Sequence, residues 1–480
     1  MEWEIVMGLE VHVELATKTK IFCSCTTEFG GAPNTHCCPV CTGMPGTLPV
    51  LNKKVLEYAV KAGLALGCEI TRYNKFDRKN YFYPDLPKAY QISQLYLPFA
   101  RNGRVDFITR SKKPGFVRIH EIHMEEDAGK LVHSAFGDAT FPDYNRCGVP
   151  LIEIVSEPDF RSAEEVIAYL EKLKTTFEYL GISDCKMQEG SMRADVNLSV
   201  RKKGEQEFGT RTEMKNINSF KAIERAIAFE SARQIEVLEN GGRIKQETRR
   251  WDDNKGKTYA MRSKENAQDY RYFPEPDIPP VSISEETIKE YLDNMPEFSY
   301  EKIARYQSQY GIAEADAAII AGSKYLASLF EKTAELCGDP KEVRFWIMSQ
   351  IMYFMNERGV QPEEITLTAE KFAQFIDTVK SGRINKQTGK TVFEAMFFAE
   401  GDFDIEKYIK DNDLLQVDDT ASIEEAVRKV IAANPAAAEQ FKNGEKKVVG
   451  FFVGQVMKET RGKAKPETVN KTVLSELGKL

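Results

Sequence analysis

Residues 8 to 17 read GLEVHVELAT. Taken alternately, Leu9, Val11, Val13 and Leu15 fall on one side, and Glu10, His12 and Glu14 on the other. The apolar series begins earlier, with Trp3, Ile5 and Met7. A period of two sustained over this length predicts a β-strand with one face in a core. The other face is the unusual one, because it sets two carboxylates and an imidazole in a single row. A polar row is the ordinary solvent side of an antiparallel sheet. By itself, then, this strand argues for a fold class: a sheet covered on one face and open on the other.

Three further stretches repeat the arrangement. RIHEIHMEEDAGK puts Glu121, His123, Glu125 and Asp127 on one alternating face. GSMRADVNLSV puts Arg193, Asp195 and Asn197 opposite Met192, Ala194, Val196, Leu198 and Val200. GTRTEMKNIN groups Arg211, Glu213 and Lys215. If these strands are neighbours, their carboxylates repel one another unless a hard cation lies between them. Mg²⁺ accepts oxygen ligands, keeps several waters and bridges nucleotide phosphates. The Arg and Lys side chains would then offset charge on a transferring phosphoryl group. Adjacency of the strands is an expectation that spacing alone does not supply.

Helices interrupt the stranded pattern twice. Ser162-Ala-Glu-Glu165 reads as a capping box, followed at helical spacing by Val166, Leu170, Leu173, Phe177 and Leu180, with Gly181 as the stop. A second helix is expected from about Phe220 through Ile223, Ile227 and Leu238 to Asn240-Gly241-Gly242. DYRYFPEPDIPP, residues 269–280, carries four prolines and reads as a boundary, since proline breaks helices and most strands. Beyond it the pattern turns helical. A softer boundary is expected near Gly401 to Asp413, and the chain closes with helical material from Ser422 onward.

At 480 residues, with 42% apolar and 29% charged content, the chain suits two or three globular domains. No run approaches the roughly 20 apolar residues that a membrane span needs. The opening Met1-Glu2-Trp3-Glu4 lacks the basic and apolar regions of a secretory signal, so the cytosol is the expected compartment. A net charge of −7 argues against broad nucleic-acid binding by the whole molecule. The stretch from Phe441 to Leu480 has the opposite sign, with nine Lys and Arg against four Glu.

FCSC and HCCPVC set Cys23, Cys25, Cys38 and Cys41 in the form C-x-C…C-P-x-C. Two short thiolate pairs about a dozen residues apart suit tetrahedral zinc, since each pair supplies two sulfurs from one tight turn. Cys37 and His36 leave the assignment open by one ligand. With four protein ligands the site is closed, hence structural. Nucleotide-binding loops are missing: GKT occurs at 256–258 and 389–391, but Trp251 and Ile384 stand where a P-loop needs glycine.

GLEVHVEL, NYFYPDLPKAYQISQ, HMEEDAGK, GVPLIEIVSEPD, GSMRADVNLSV, TEMKNINSF, QETRRWD and DYRYFPEPDIPP occur here in one order. Together they resemble the GatB/GatE family, the B subunits of tRNA-dependent aspartyl/glutamyl amidotransferases, over nearly the whole chain. The resemblance implies an α+β architecture. A mixed α/β cradle domain with an antiparallel sheet (1–293) precedes a helical domain (294–405) and a small YqeY-like helical tail (406–480). It implies that ATP and Mg²⁺ are used to phosphorylate the side-chain carboxylate of Glu on tRNA(Gln) or Asp on tRNA(Asn). Ammonia from a glutaminase A subunit then displaces phosphate, and a small C subunit joins the two.

Carried onto this sequence, Glu10, His12 and Glu125 become magnesium ligands or phosphate-site residues. Asp195 and Glu213 complete the acidic set, and Lys79 and Lys88 line the ammonia route. Some members of the family have the four-cysteine site, so zinc is expected at Cys23, Cys25, Cys38 and Cys41. The basic tail, with Lys458, Arg461, Lys463 and Lys465, fits a tRNA backbone. Arg249 and Arg250 in ETRRW read either as substrate contacts or as members of surface ion pairs. Two rival readings are a non-catalytic tRNA-docking scaffold for an amidase partner and a free-standing amidase. The second lacks a Gly/Ser-rich segment with a Ser-Ser-Lys nucleophile arrangement.

Overall fold

The computed structural model describes residues 2–134, 137–261, 270–416, 420–460 and 464–479. It divides into two compact units, Met1–Phe298 and Ser299–Leu480. The first is α+β and is built on a nine-stranded sheet. Its strands in chain order are β1 (Trp3–Glu14), β2 (Glu69–Ile70), β3 (Ala100–Ile108), β4 (Pro114–Glu126), β5 (Pro150–Ser156), β6 (Met192–Lys202), β7 (Thr212–Lys215), β8 (Glu247–Asp252) and β9 (Lys257–Ala260). Across the sheet they run β9-β8-β7-β6-β1-β5-β4-β3-β2, so the N-terminal strand lies at the centre. Every pairing is antiparallel except β7 with β8. Those two are joined through the helix α3 (Phe220–Glu239), the crossover that a parallel pair requires.

One sheet face is covered by α1 (Lys53–Ala65), α2 (Ala163–Leu180) and α3. Leu9, Val11 and Val13 of β1 meet Val166, Leu170, Phe177, Ile223 and Ile227 in one apolar cluster with Ile152, Ile154, Ile122, Met124, Val196 and Leu198. The helix signals work largely as their chemistry dictates. The Ser162 hydroxyl accepts from the Glu165 amide, and Gly181 closes α2 at φ 69. The Glu165 carboxylate reaches one residue further back than a capping box requires, to the Arg161 amide at 2.7 Å.

β4 changes face partway along. Val117 and Ile119 are buried before His120, and Ile122 and Met124 after it. Val155 of β5 pairs with Glu121 while Ser156 pairs with Ile119, which leaves His120 as the extra residue of a bulge. On the other side, β3 carries Asn102 at φ 55 at the same level. The bulge moves the core parity by one residue and so brings Glu121, His123 and Glu125 onto the open face.

The proline-rich segment is not a linker. Phe273 and Pro274 pair with Arg78 and Asp77, Ile278 enters the core cluster, and Glu275 is buried against Arg78. The first unit continues beyond it to Phe298. Proline closes no ladder here because the segment runs along the edge of a three-stranded sheet, with Asp77–Asn80 and Tyr90–Ser93.

The second unit is helical and contains two apolar clusters. The first centres on Trp346, which packs edge-on against Phe375 at 4.7 Å. Ile405 and Ile409 of the short helix Ile405–Asp411 belong to it, so the change of cluster falls after that helix. The second cluster joins residues from Ile423 to Leu477, on four helices spanning Thr420–Ala433, Pro435–Lys442, Val448–Glu459 and Pro466–Leu477. Among the described residues, no helix is long and apolar enough to cross a membrane.

Candidate active site and metal centre

The open face of the sheet is where the polar rows meet. In the β1–β6 register Glu10 faces Asp195 and His12 faces Arg193; in the β1–β5 register His12 faces Glu153. Glu153 in turn faces His123 of β4, and Asn197 faces Glu213 of β7. His12 Nε2 lies 3.4 Å from Glu125 Oε1 and 3.5 Å from Glu153 Oε2. His123 Nε2 lies 2.7 Å from the same Glu153 oxygen. His12 and Glu125, remote in sequence, are therefore neighbours.

The acidic set forms two groups rather than one. In each of His12/Glu125/Glu153 and Glu10/Asp195/Glu213, one potential ligand atom per residue lies within 4.8 Å of the others. Glu10 belongs with Asp195 and Glu213, separate from His12 and Glu125. Glu153 takes its place beside His12, a residue that the sequence reading left out. The second group already holds a cation, since Lys215 Nζ is 2.8 Å from both Asp195 Oδ2 and Glu213 Oε1. Asn197 donates to Glu10 at 3.0 Å and Thr248 to Glu213 at 2.8 Å.

The electrostatics follow from crowding charge in a half-buried space. Burial works against a charged His12, but Glu153 and Glu125 outweigh it and push the imidazole up to about 10. Partial burial opposes the charge of Glu153, yet His123 and His12 hold it well below the usual carboxylate range. Glu10 is raised, by burial first and then by Glu153 and Glu213. Further along β1, burial and Asp127 push Glu14 up to about 8. Asp127 is held by Arg193 at 2.8 Å and Arg146 at 3.4 Å.

The first group fits a divalent ion. Two carboxylates and one imidazole supply three donors, and His123 Nδ1 beside them is buried without a hydrogen-bond partner. Three donors leave positions for water and phosphate oxygens, as Mg²⁺ and Mn²⁺ prefer.

Lys79 and Lys88 serve opposite faces of β4. Lys79 sits 5.0 Å over the Tyr270 ring and is raised because Glu125, Tyr272 and Glu153 outweigh its burial. Lys88 pairs with Glu126, the next residue along, which points the other way. The pair lines a pocket of about 100 Å³ with Cys41, Gly43, Tyr90 and Gly148. A single strand step thus separates two lysines that the sequence reading grouped on one route.

The four cysteines Cys23, Cys25, Cys38 and Cys41 converge, all sulfurs lying within 4.8 Å of one another. Cys38 and Cys41 sulfurs are 3.9 Å apart. A tetrahedron with Zn–S near 2.3 Å has edges of ~3.8 Å, so the donors fit. The Cys41 thiol is lowered to about 4, chiefly by the hydrogen bond from Cys23. The rivals for the fourth position are otherwise engaged. Cys37 Sγ donates to Asn34 O at 3.3 Å, and His36 Nδ1 meets Glu28 O at 3.1 Å.

Arg249 is no surface residue. It is buried, with Nε 2.9 Å from Thr258 Oγ1 and 3.2 Å from Glu230, while Arg250 is exposed. In the tail, Lys442, Lys446, Lys447, Lys458 and Lys471 are exposed and Lys465 is half-buried. Arg461 and Lys463 lie outside the described residues.

With that fold and site, the chain belongs to the GatB/GatE family. The family model of the GatB/GatE catalytic domain matches residues 5–289, and that of the GatB domain matches residues 328–477. The chain is 59% identical over 475 residues to the aspartyl/glutamyl-tRNA(Asn/Gln) amidotransferase B subunit of Lachnoclostridium phytofermentans, covering 99% of this chain and 98% of that one. It is 58% identical to the B subunit of Agathobacter rectalis, with 99% of each covered. The corresponding protein of Caldicellulosiruptor saccharolyticus is 55% identical over the full length of both.

Proposed function

We propose that this chain is the ATP-using subunit of a tRNA-dependent amidotransferase, with Glu-tRNA(Gln) or Asp-tRNA(Asn) as substrate. A carboxylate is a poor acyl donor to ammonia because oxide would have to leave. In the proposed reaction a carboxylate oxygen of the aminoacyl side chain attacks the γ-phosphorus of ATP, and ADP departs. Ammonia then adds to the acyl carbon. Phosphate leaves with the former carboxylate oxygen, and the nitrogen loses a proton. Glutamine is the proposed amido donor, hydrolysed by a partner A subunit, with a small C subunit completing the complex in the cytosol.

The observation that carries this reading is the convergence of His12, Glu125 and Glu153 on one sheet face beside Glu10, Asp195 and Glu213. His12, Glu125 and Glu153 would hold Mg²⁺, with Glu10 beside them. When bound, the ion supplies positive charge against the phosphates of ATP. Lys215, fixed between Asp195 and Glu213, adds positive charge on the same face, as do Lys79 and Arg193. The acyl phosphate is labile in water, so ammonia is best delivered through an enclosed passage. Lys79 and Lys88 are proposed to line that passage on the two faces of β4.

Cys23, Cys25, Cys38 and Cys41 are proposed to hold a structural zinc. The three-part division near 1–293, 294–405 and 406–480 remains our reading of the architecture. Its tail binds the tRNA backbone through Lys458, Arg461, Lys463 and Lys465. In the assembled complex, Glu10→Gln or Glu125→Gln should abolish tRNA-dependent ATP cleavage while glutamine hydrolysis by the partner persists. Unchanged ATP turnover in both variants would reject the assignment.

A further inference from the structure

We infer that Lys20 is the built-in counter-charge of the four-cysteine site, and that its ammonium helps to hold the metal there. Lys20 has no exposed surface at all. A lysine normally lays its stem along the protein and keeps its charge in water. Burying the charge is costly unless an anion meets it. Among the described residues Lys20 forms no ion pair with a carboxylate. Glu126, which lies against Gly148 nearby, is taken by Lys88.

The Lys20 ammonium has two acceptors. Nζ donates to His36 O at 2.7 Å and to Cys41 Sγ at 3.6 Å. The Lys20 backbone amide donates to Cys25 O at 3.0 Å. One residue therefore touches both halves of the site: its main chain holds the Cys23/Cys25 turn and its side chain the Cys38/Cys41 turn. Gly148, at φ 82, closes the pocket, and a Cβ there would stand 3.5 Å from both Lys20 Cδ and Cys41 Cβ.

The charge balance supplies the reason. A divalent ion inside four thiolates leaves a net charge of about −2 on the cluster. In a poorly solvated setting that excess charge weakens the metal–thiolate centre unless donors and cations surround it. Lys20 brings one full positive charge and an N–H···S contact to the Cys41 sulfur. Packing alone does not account for a buried ammonium, since a methionine fills the same volume without the desolvation penalty. Lys20 is thus a positioning residue for the metal, acting through Cys41 and the His36 carbonyl.

The inference rests on the zinc reading above, and the test separates the two. Full-length protein is purified as wild type, Lys20→Met, Lys20→Gln and Lys20→Arg. Bound zinc is quantified, its release to a chromogenic chelator is timed, and the thiolate-to-metal charge-transfer band is recorded after Co²⁺ substitution. Lys20→Met and Lys20→Gln should release zinc about 10- to 100-fold faster and shift the Co²⁺ band, with Lys20→Arg restoring retention at least in part. Lys20→Gln keeps a donor for His36 but no charge, and it decides the point should Lys20→Met fail to fold. Wild-type release rates with an unshifted band in the uncharged variants would overturn the role of Lys20 and leave the zinc reading intact. Wild-type protein that binds no zinc would overturn both.

Discussion

His12 and Glu125 illustrate how much of the site individual residues reveal. Both stand out in sequence because they stand with other titratable residues in the polar row of an alternating strand. Glu153 escapes that test. It sits in PLIEIVS between Ile152 and Ile154, where one carboxylate in an apolar run looks like the solvent side of an edge. Only its neighbours give it meaning, since it bridges His12 and His123, which hold its carboxyl well below the usual range. Glu153→Gln removes that shared charge and leaves both imidazoles facing an amide. Divalent-ion affinity should fall by about 10- to 100-fold, as measured by Mn²⁺ titration. An affinity equal to wild type would remove Glu153 from the ligand set.

At the scale of elements, the strands and helices at 3–14, 163–180, 192–202 and 220–239 follow from period and caps, which are local properties. The bulge at His120 does not, because the extra residue is defined only by what β5 presents opposite it. The same holds for the support beneath β7, β8 and β9. Glu230 of α3, fully buried, accepts from Thr212 at 2.9 Å, Thr258 at 2.8 Å and Arg233 at 2.9 Å, with Arg249 at 3.2 Å. Burial opposes its charge, but Arg233, Thr258 and Gln234 win, and its pKa is lowered. Glu230→Gln removes the carboxylate that Arg233 and Arg249 share, leaving Arg249 with Glu247, and should cost about 3 kcal/mol, read from denaturant unfolding. Because the folded value lies below the ordinary 4.5, the advantage of wild type is full above that pH. It shrinks as pH falls through the lowered value. A gap between the two proteins that stays constant from pH 7 into the acid range would rule out Glu230 as the charged hub.

Across the whole molecule, charge and apolar clustering divide the work. The first unit gathers its acids on one sheet face, and the last cluster of the second unit carries exposed lysines. The basic stretch from Phe441 is only part of a folded body, since Ile423, Val427 and Val430 share a core with Phe452, Val456, Val469 and Val473. A truncation at Phe441 would split that core. The informative deletion removes everything from residue 417 onward. It should raise the KM for tRNA about tenfold or more, as several phosphate contacts are lost, and leave tRNA-independent glutamine hydrolysis of the complex unaltered. An unchanged KM would remove the tail from the tRNA site.

Short-range features are legible in the sequence alone: the central strand, the capped helices, the paired cysteines, the sign of the tail, and the family through its ordered motifs. The partition of the acids into two groups, the recruitment of Glu153, the separation of Lys79 from Lys88 and the burial of Lys20 were decided by the tertiary structure. The physical reason is that a period of two says which way a side chain points but not what stands across from it. Register between β1 and strands more than a hundred residues away sets those neighbours, and electrostatic interactions depend on the distances that register creates.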